Sequence, residues 1–246
     1  MSKIVERTLD FIELFAQQRR PLTLSEISRL LSLPPSSCHD VLQSLQARGY
    51  LYQLHDRGGY YPTLRLLDLA TVLAEHDPVA RRADLVMRRI REALDESVLL
   101  SKVNGLAATY LVVLESSHPL RFHARAGDPV RSLHATSAGK ALLGSLEPAA
   151  FERYLAGARL APMTTRTIRS KLALRRAIAQ GNRRGWFLND GETLQGVTTV
   201  TVRFTWNRST YLLTVAAPSA RLRPRLRPAR ALLLAAAREL EKPSSA

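Results

Sequence analysis

The sequence predicts an α+β protein built from two dissimilar halves, and three observations carry that expectation. Three short segments with apolar residues spaced by three and four precede two aromatic runs around a glycine-containing turn, all before residue 64. From residue 98 onward, β-branched runs alternate with helical patterns, as in an antiparallel sheet with helices packed on it. The 246 residues are 46% hydrophobic and 23% charged, an ordinary globular composition with enough apolar material for a core in each half.

Residues 4–15 put Ile4, Val5, Thr8, Phe11, Ile12 and Phe15 on one helical stripe. Arg20-Pro21 ends the segment, because the residue before a proline is pushed out of the α region. Thr23-Leu24-Ser25-Glu26 fits a capping box, with Thr23 at the cap and Glu26 reaching back. The helix behind it turns Ile27, Leu30 and Leu31 inward. Pro34-Pro35 opens a third helix, since proline's missing N–H costs nothing in a first turn. Cys38, Val41, Leu42 and Leu45 form its inner stripe, and Gly49 supplies a left-handed stop. The runs 50–53 and 60–61 flank the polar turn Asp56-Arg57-Gly58-Gly59 and read as a hairpin. Three helices and then a hairpin is the order of a winged helix-turn-helix.

A helical stretch from Leu64 to about His76 leads out, Asp77-Pro78 marks a break, and an arginine-rich helix runs to about Leu94. The boundaries implied are 1–63 for the winged domain, 64–78 for a linker helix and 79–246 for the second domain. In the latter, runs 98–103 and 109–114 flank Asn104-Gly105, a hairpin signal. Residues 120–126 read as a further strand, 137–146 and 171–184 as helices, and 197–204 and 210–216 as a strand pair. A last helix covers about 229–241.

The 36 lysines and arginines exceed the 21 acidic residues by 15. Such a balance suits nucleic acid or an anionic membrane surface, although it says nothing about fold. Residues 1–75 hold 8 basic and 8 acidic side chains, so the whole excess falls outside the half that should read bases. Arg81, Arg82, Arg88, Arg89 and Arg91 form one run; Arg221, Arg223, Arg225, Arg227 and Arg230 form another. Two readings stand for them: solvated surface, or an auxiliary patch for DNA phosphates or for a second dimer.

Other features narrow the class. No apolar run approaches the roughly 18 residues of a membrane span, and the first residues lack a signal peptide's apolar region. The single cysteine, Cys38, forms no internal disulfide, and the 6 histidines lack metal-ligand spacing. The expectation is a cytoplasmic protein with no metal, no cofactor and no membrane partner.

In a helix-turn-helix the second helix of the pair enters the major groove and its early residues meet base edges. With Cys38, Val41, Leu42 and Leu45 inward, Ser36, Ser37, His39, Asp40 and Gln43 face out toward phosphates and bases, and Gln43 can pair with adenine. The plain alternative is a solvated face. Arg57 on the wing is a candidate for phosphate or the minor groove, and Arg7, Arg19 and Arg20 are further phosphate candidates.

These residues carry a resemblance. Residues 4–69, with LTLSEISRLLSLPPSSCHDVLQSLQARGYL at their heart, resemble the DNA-binding domain of IclR-type bacterial transcriptional regulators. LHATSAGKALL (133–143), TTRTI (164–168) and RRGWFLNDGETLQGV (183–197) resemble three signature stretches of that family's effector domain, in order. The resemblance implies a winged helix-turn-helix, a linker helix and a GAF-like α+β effector-binding domain. It implies homodimers or dimers of dimers on palindromic double-stranded DNA, controlled by a small-molecule effector. Matching motif positions places Phe122, Arg131, Ser137, Ala138, Asn189, Thr199, Thr214 and Ala216 around the effector pocket.

The chain also departs from the family. His39-Asp40 stands where His-Arg is usual, which points to an altered operator, since a carboxylate repels phosphate but accepts from the cytosine amino group. Thr198-Thr199-Val200-Thr201-Val202-Arg203 stands where the family usually has a Cys and an Ala-Ala-Pro run, and Asn189-Asp190 replaces an acidic pair, so the pocket has diverged. Arg131 sits where an apolar residue is common. Turned inward it would want a carboxylate or phosphate, which suggests an anionic effector; at the rim it would simply be solvated. The amides behind Ser137 would add a helix N-terminal anion site. His134 reads as a packed structural histidine.

Ser137-Ala138-Gly139-Lys140 also matches the Ser-x-x-Lys of serine β-lactamases, but the partner motifs Ser-Asp-Asn and Lys-Thr-Gly are absent, so no catalytic activity is expected. The alternative reading is a small-molecule-binding or enzymatic protein with a vestigial helix-turn-helix. An RNA-binding protein would need aromatic stacking platforms that the arginine runs lack.

Overall fold

A computed structural model describes residues 3–55 and 59–242, which fall into two units, Met1–Asp77 and Pro78–Ala246. In the first, α1 (Lys3–Gln18) buries Phe11, Leu14 and Phe15. Ile4 and Val5 stay 70% and 59% exposed, so the stripe expected over 4–15 is covered only toward its end. α2 (Leu24–Leu31) begins at the capping box: the Thr23 amide donates to the Glu26 carboxylate at 2.9 Å, and the Glu26 amide donates to Thr23 Oγ1 at 3.3 Å. Ile27 is buried, but Leu30 points out, because this two-turn helix packs on α3 (Pro35–Ala47) through a single row. α3 starts at Pro35 and buries Cys38, Leu42 and Leu45, with Val41 half-buried.

Gly49, at φ +74°, turns the chain into β1 (Leu51–Gln53), which pairs with β2 (Tyr60–Pro62) in antiparallel register. Leu22 exchanges backbone hydrogen bonds with Tyr60 at 2.8 and 3.1 Å and ties the wing to the chain before α2. α4 (Arg65–Glu75) closes the unit and buries no residue; Leu67, Val72 and Leu73 are exposed.

The second unit opens with α5 (Pro78–Leu94) and carries five strands: β3 (Ser97–Asn104), β4 (Ala107–Leu114), β5 (Trp186–Asp190), β6 (Val197–Trp206) and β7 (Ser209–Pro218). They form one antiparallel sheet in the order β4-β3-β7-β6-β5. Between β4 and β5 lie α6 (Ser137–Leu143), α7 (Pro148–Gly157) and α8 (Lys171–Arg184); α9 (Ser219–Leu222) and α10 (Leu226–Glu241) follow β7.

The period of two along β7 sorts its side chains. Leu213, Val215 and Ala217 join Val86, Ile90 and Leu233 in a core under α5 and α10. Leu212 joins Leu142, Leu174 and Phe187 in a second core under α6 and α8, and Thr214 and Ala216 share that face.

Three sequence expectations change here. The β3–β4 turn is centred on Gly105-Leu106, since Asn104 pairs with Ala107, and Gly105 takes φ +58°. Residues 120–126 form no strand; side-chain bonds fasten them instead, among them Ser97 Oγ donating to the Phe122 carbonyl at 2.8 Å. β5 and α7 were not expected as elements at all.

Several arginines of the two runs are tied to the fold, while others, such as Arg81 and Arg227, are exposed. Arg225 donates to the carbonyls of Leu94 and Ala93 at 2.7 Å, capping the end of α5. Arg221 grips buried Glu96 through two bonds of 2.6 and 2.8 Å. Arg89 pairs with Glu239 at 2.6 Å, Arg82 donates to the Leu240 carbonyl, and Arg91 to that of Glu115. These arginines knit α5 to α10 and to the sheet.

Candidate functional site

On the α6 face of the sheet lies a cavity of about 280 Å³. All eight expected pocket residues line it: Phe122, Arg131, Ser137, Ala138, Asn189, Thr199, Thr214 and Ala216. Strand alternation puts Thr199, Thr214 and Ala216 there from adjacent β6 and β7, where Thr199 pairs with Ala216. Ser137 arrives at the first turn of α6, whose cap Thr136 accepts the Gly139 amide at 2.9 Å.

The floor is a chain of buried hydroxyls. Ser137 Oγ bonds Thr199 Oγ1 at 2.6 Å and Thr201 Oγ1 at 2.7 Å, and Thr201 Oγ1 bonds Thr214 Oγ1 at 2.8 Å. Asn189, 1% exposed, accepts the Glu192 amide at 2.8 Å and donates to Thr193 Oγ1 at 3.0 Å, which fixes the loop after β5. Arg131 lines the cavity from its exposed side, and its guanidinium has no hydrogen bond or ion pair among the described residues. Arg131 is thus solvated at the rim and at the same time part of the cavity lining, so its guanidinium borders the space inside.

Leu99, Tyr110, His123, Asp128, Met163, Thr193 and Leu194 also line the cavity and were not anticipated. Strand register could have supplied Leu99, which sits opposite Thr214 in β3–β7. The loop residues carry no periodic signal. His134 is buried, with Nε2 3.1 Å from the Ala161 carbonyl, and packs as a structural residue.

Lys140 points elsewhere than Ser137. Its ammonium, 4% exposed, donates to the Leu188 carbonyl at 2.9 Å and pairs closely with the Glu192 carboxylate. Burial pulls the Lys140 ammonium below its ordinary value, and burial pushes the Glu192 carboxyl up against the opposing pull of Lys140. Ser137 and Lys140 share no hydrogen bond, so the pair lacks the contact by which a lysine activates a serine.

In the first unit, Ser36, His39, Asp40 and Gln43 of α3 are exposed. Ser37 departs from expectation: it is half-buried, on the side of Val41 and Ser44, four and seven residues on. With Asp40, Arg7 and Arg48 it lines a groove of about 860 Å³ walled by Ile4, Ile12, Leu66, Leu69 and Leu73. Arg19 is exposed, whereas Arg20 is held 2.8 Å from Glu26. The Thr23 amide, then Arg20, lower the Glu26 carboxyl to about 2. Arg57 lies outside the described residues. Gln46 is a further exposed polar side chain on α3, missed because its spacing was not followed past Gln43.

Among the described residues, no helix is long and apolar enough to cross a membrane, and no group of three acidic, histidine or cysteine side chains is placed to hold a metal.

A winged helix-turn-helix followed by an α+β unit with a polar-floored cavity defines a class: DNA-binding regulators with a domain for a small molecule. Residues 71–242 match the family described as bacterial transcriptional regulator IclR, C-terminal, and residues 4–55 match the IclR helix-turn-helix domain. The chain belongs to the IclR family and is a DNA-binding transcriptional regulator, and its C-terminal domain implies effector binding. It is 28% identical over 209 residues to the HTH-type transcriptional regulator XynR of Escherichia coli K12, covering 85% of this chain and 82% of that one. It is 32% identical over 204 residues to the glycerol operon regulatory protein of Streptomyces griseus, covering 78% and 75%. The fold is that of Thermotoga maritima IclR, with TM-score 0.81 at 18% identity over 96% of each chain.

Proposed function

We propose that this regulator binds double-stranded DNA as a homodimer and is controlled by a small anionic effector held in the cavity of the second unit. The observation that carries the proposal is the meeting of eight residues, scattered from 122 to 216, around one cavity with an unpaired arginine on its rim. A volume of about 280 Å³ corresponds to roughly nine water-sized groups. That suits a small organic acid. The hydroxyl floor would take the ligand's polar atoms and Arg131 its negative group, while Phe122, Ala138 and Ala216 supply apolar wall.

For DNA, Ser36, His39 and Gln43 are the base-facing candidates on α3. Asp40 sits beside them, and the family's arginine at that place is replaced by a side chain that can accept a hydrogen bond from the cytosine amino group. Arg7 and Arg19 remain phosphate candidates. The unburied apolar faces of α1 and α4, with Ile4, Leu9, Leu67 and Leu73 exposed, support pairing with a second copy, as a palindromic operator requires. No catalytic role is assigned, since Ser137 and Lys140 are committed to separate partners.

The test has two arms. Titration of organic acids should give an effector whose affinity falls at least about tenfold in Arg131→Leu, and whose binding changes operator affinity. An effector bound equally well by that variant refutes the anionic reading. Footprinting of the DNA upstream of the protein's own gene should show a protected palindrome that His39→Ala and Gln43→Ala weaken; no sequence-specific protection would favour a vestigial reading head.

A further inference from the structure

The segments 163–166 and 189–196 build more than the effector cavity. Met163, Asn189, Thr193 and Leu194 line that cavity, while their neighbours Thr164, Arg166, Gln195 and Gly196 line a second one of about 430 Å³. This second recess also receives Ser219 and Arg223. None of its lining residues is acidic, and none is a large apolar side chain.

Its two arginines converge on one carboxylate. Arg166 Nη1 donates to Asp190 Oδ2 at 2.9 Å and to the Asp190 carbonyl at 3.3 Å; Arg223 Nε donates to Asp190 Oδ1 at 2.7 Å. A guanidinium carries five N–H donors in a planar fork. No other hydrogen bond of either guanidinium falls on a described residue, so most of both forks is unused. Asp190 also accepts from the Thr198 hydroxyl at 2.8 Å. Burial raises its carboxyl, but Arg223, Thr198 and Arg166 together outweigh that and hold it below the ordinary range. It therefore stays ionised, and two cations share one anion with a positive charge left over. Both arginine side chains are about half exposed, at 53% and 46%, so a solute can reach them.

We propose that this recess binds a phosphate-type oxyanion, inorganic phosphate or a small phosphate monoester, between Arg166 and Arg223. Paired planar forks match the oxygens of a tetrahedral anion, and the Thr165 hydroxyl with the Gln195 amide supplies neutral donors around them, while the buried Ser219 hydroxyl is bonded to Thr198 and only shapes the wall. Asp190 plays the part of an internal competitor that holds the two guanidiniums together until an anion arrives. The site is separate from the organic-acid reading of the first cavity, and neither depends on the other.

The experiment is calorimetric titration of the full chain with inorganic phosphate and, separately, glycerol phosphate, against chloride at equal ionic strength. One saturable site per chain is expected for either or both phosphate species, the stronger arm identifying the ligand, and none for chloride. Arg223→Gln should weaken binding about tenfold. Asp190→Asn, which removes the competitor while leaving the fold intact by circular dichroism, should tighten it; a merely structural Asp190 would not. Arg131→Leu should leave it unchanged. Four results would each overturn the proposal: a chloride response equal to that of phosphate, indifference to Arg223→Gln, weaker binding in a folded Asp190→Asn, or loss of binding in Arg131→Leu. So would a drop in duplex-DNA affinity for Arg223→Gln with no phosphate site detectable in the parent, since the recess would then serve nucleic acid.

Discussion

Replacing Lys140 with methionine removes one half of a charge pair whose side chains are 4% and 11% exposed. The Glu192 carboxylate would then sit buried with no cation, and the Leu188 carbonyl would lose its donor. One oxygen of that carboxylate, Oε2, already lacks a hydrogen bond among the described residues. Breaking a buried pair from one side costs about 3–5 kcal/mol, a large share of the roughly 5–15 kcal/mol that holds a typical domain folded. Removing both charges, in Lys140→Met with Glu192→Leu, should recover most of the loss, because apolar side chains can replace a buried pair at little net cost. The loop itself stays anchored through the Glu192 backbone, whose amide bonds Asn189 and whose carbonyl accepts from Thr167 at 2.6 Å.

The sign of the pH dependence follows from the same geometry. Burial already pushes the Glu192 carboxyl up, and without Lys140 the main opposing pull is gone. A carboxyl whose folded pKa lies above its unfolded value favours the folded state below the unfolded value and loses that advantage as pH rises through the folded one. The deficit of Lys140→Met should therefore shrink as pH falls toward the ordinary carboxylate range. Urea unfolding followed by circular dichroism, on both single variants and the double, measures all of this. A single-variant loss under about 1 kcal/mol that does not vary with pH would refute the reasoning, since it would mean that water reaches the pair.

Two further outcomes are expected. Gly139→Ala would place a Cβ 2.4 Å from Leu133 Cα and 2.6 Å from its carbonyl oxygen, so α6 must lift off the segment that lines the cavity; a loss of about 1–3 kcal/mol is expected, read as a lowered Tm, and an unchanged Tm would contradict the packing. Thr23→Ala should destabilise the first unit by about 0.5–2 kcal/mol through loss of the α2 cap. Because the Glu26 carboxyl is lowered to about 2 when folded, its share of the cap is present above its unfolded value and fades as pH falls toward 2; an acid titration of first-unit helicity that is identical in parent and Thr23→Ala would argue against the box.

Much of this was legible in the chain because local rules settled it. The capping box at Thr23, proline at the start of α3 and left-handed Gly49 are each decided within four or five residues. The eight cavity residues came from motif positions, and strand alternation accounts for Thr199, Thr214 and Ala216 on one face. What escaped was set by distant neighbours. Periodicity marks Ile4 and Leu30 as apolar, yet whether they are covered depends on what lies opposite, and Ile4 faces only the open groove it shares with α4. Residues 120–126 have strand-like composition, but Arg121 and His123 bond Glu115 through their side chains, and the segment forms no ladder. Net charge misled in a similar way, because the sequence lists arginines without saying what they face.

The arginine fastenings have a consequence for the molecule's charge. A guanidinium bonded to a carbonyl, as Arg225 is to Leu94 and Ala93, holds two elements together with no acidic residue in return. Every such joint leaves one positive charge uncancelled at any pH the cell offers, because arginine does not titrate there. The surplus of 15 is thus partly a by-product of carpentry in the second unit. That part cannot be trimmed without loosening the joints, and the surplus surrounds the ligand-binding half with a standing cloud of counter-anions. Any small acid that enters the cavity does so from that enriched layer.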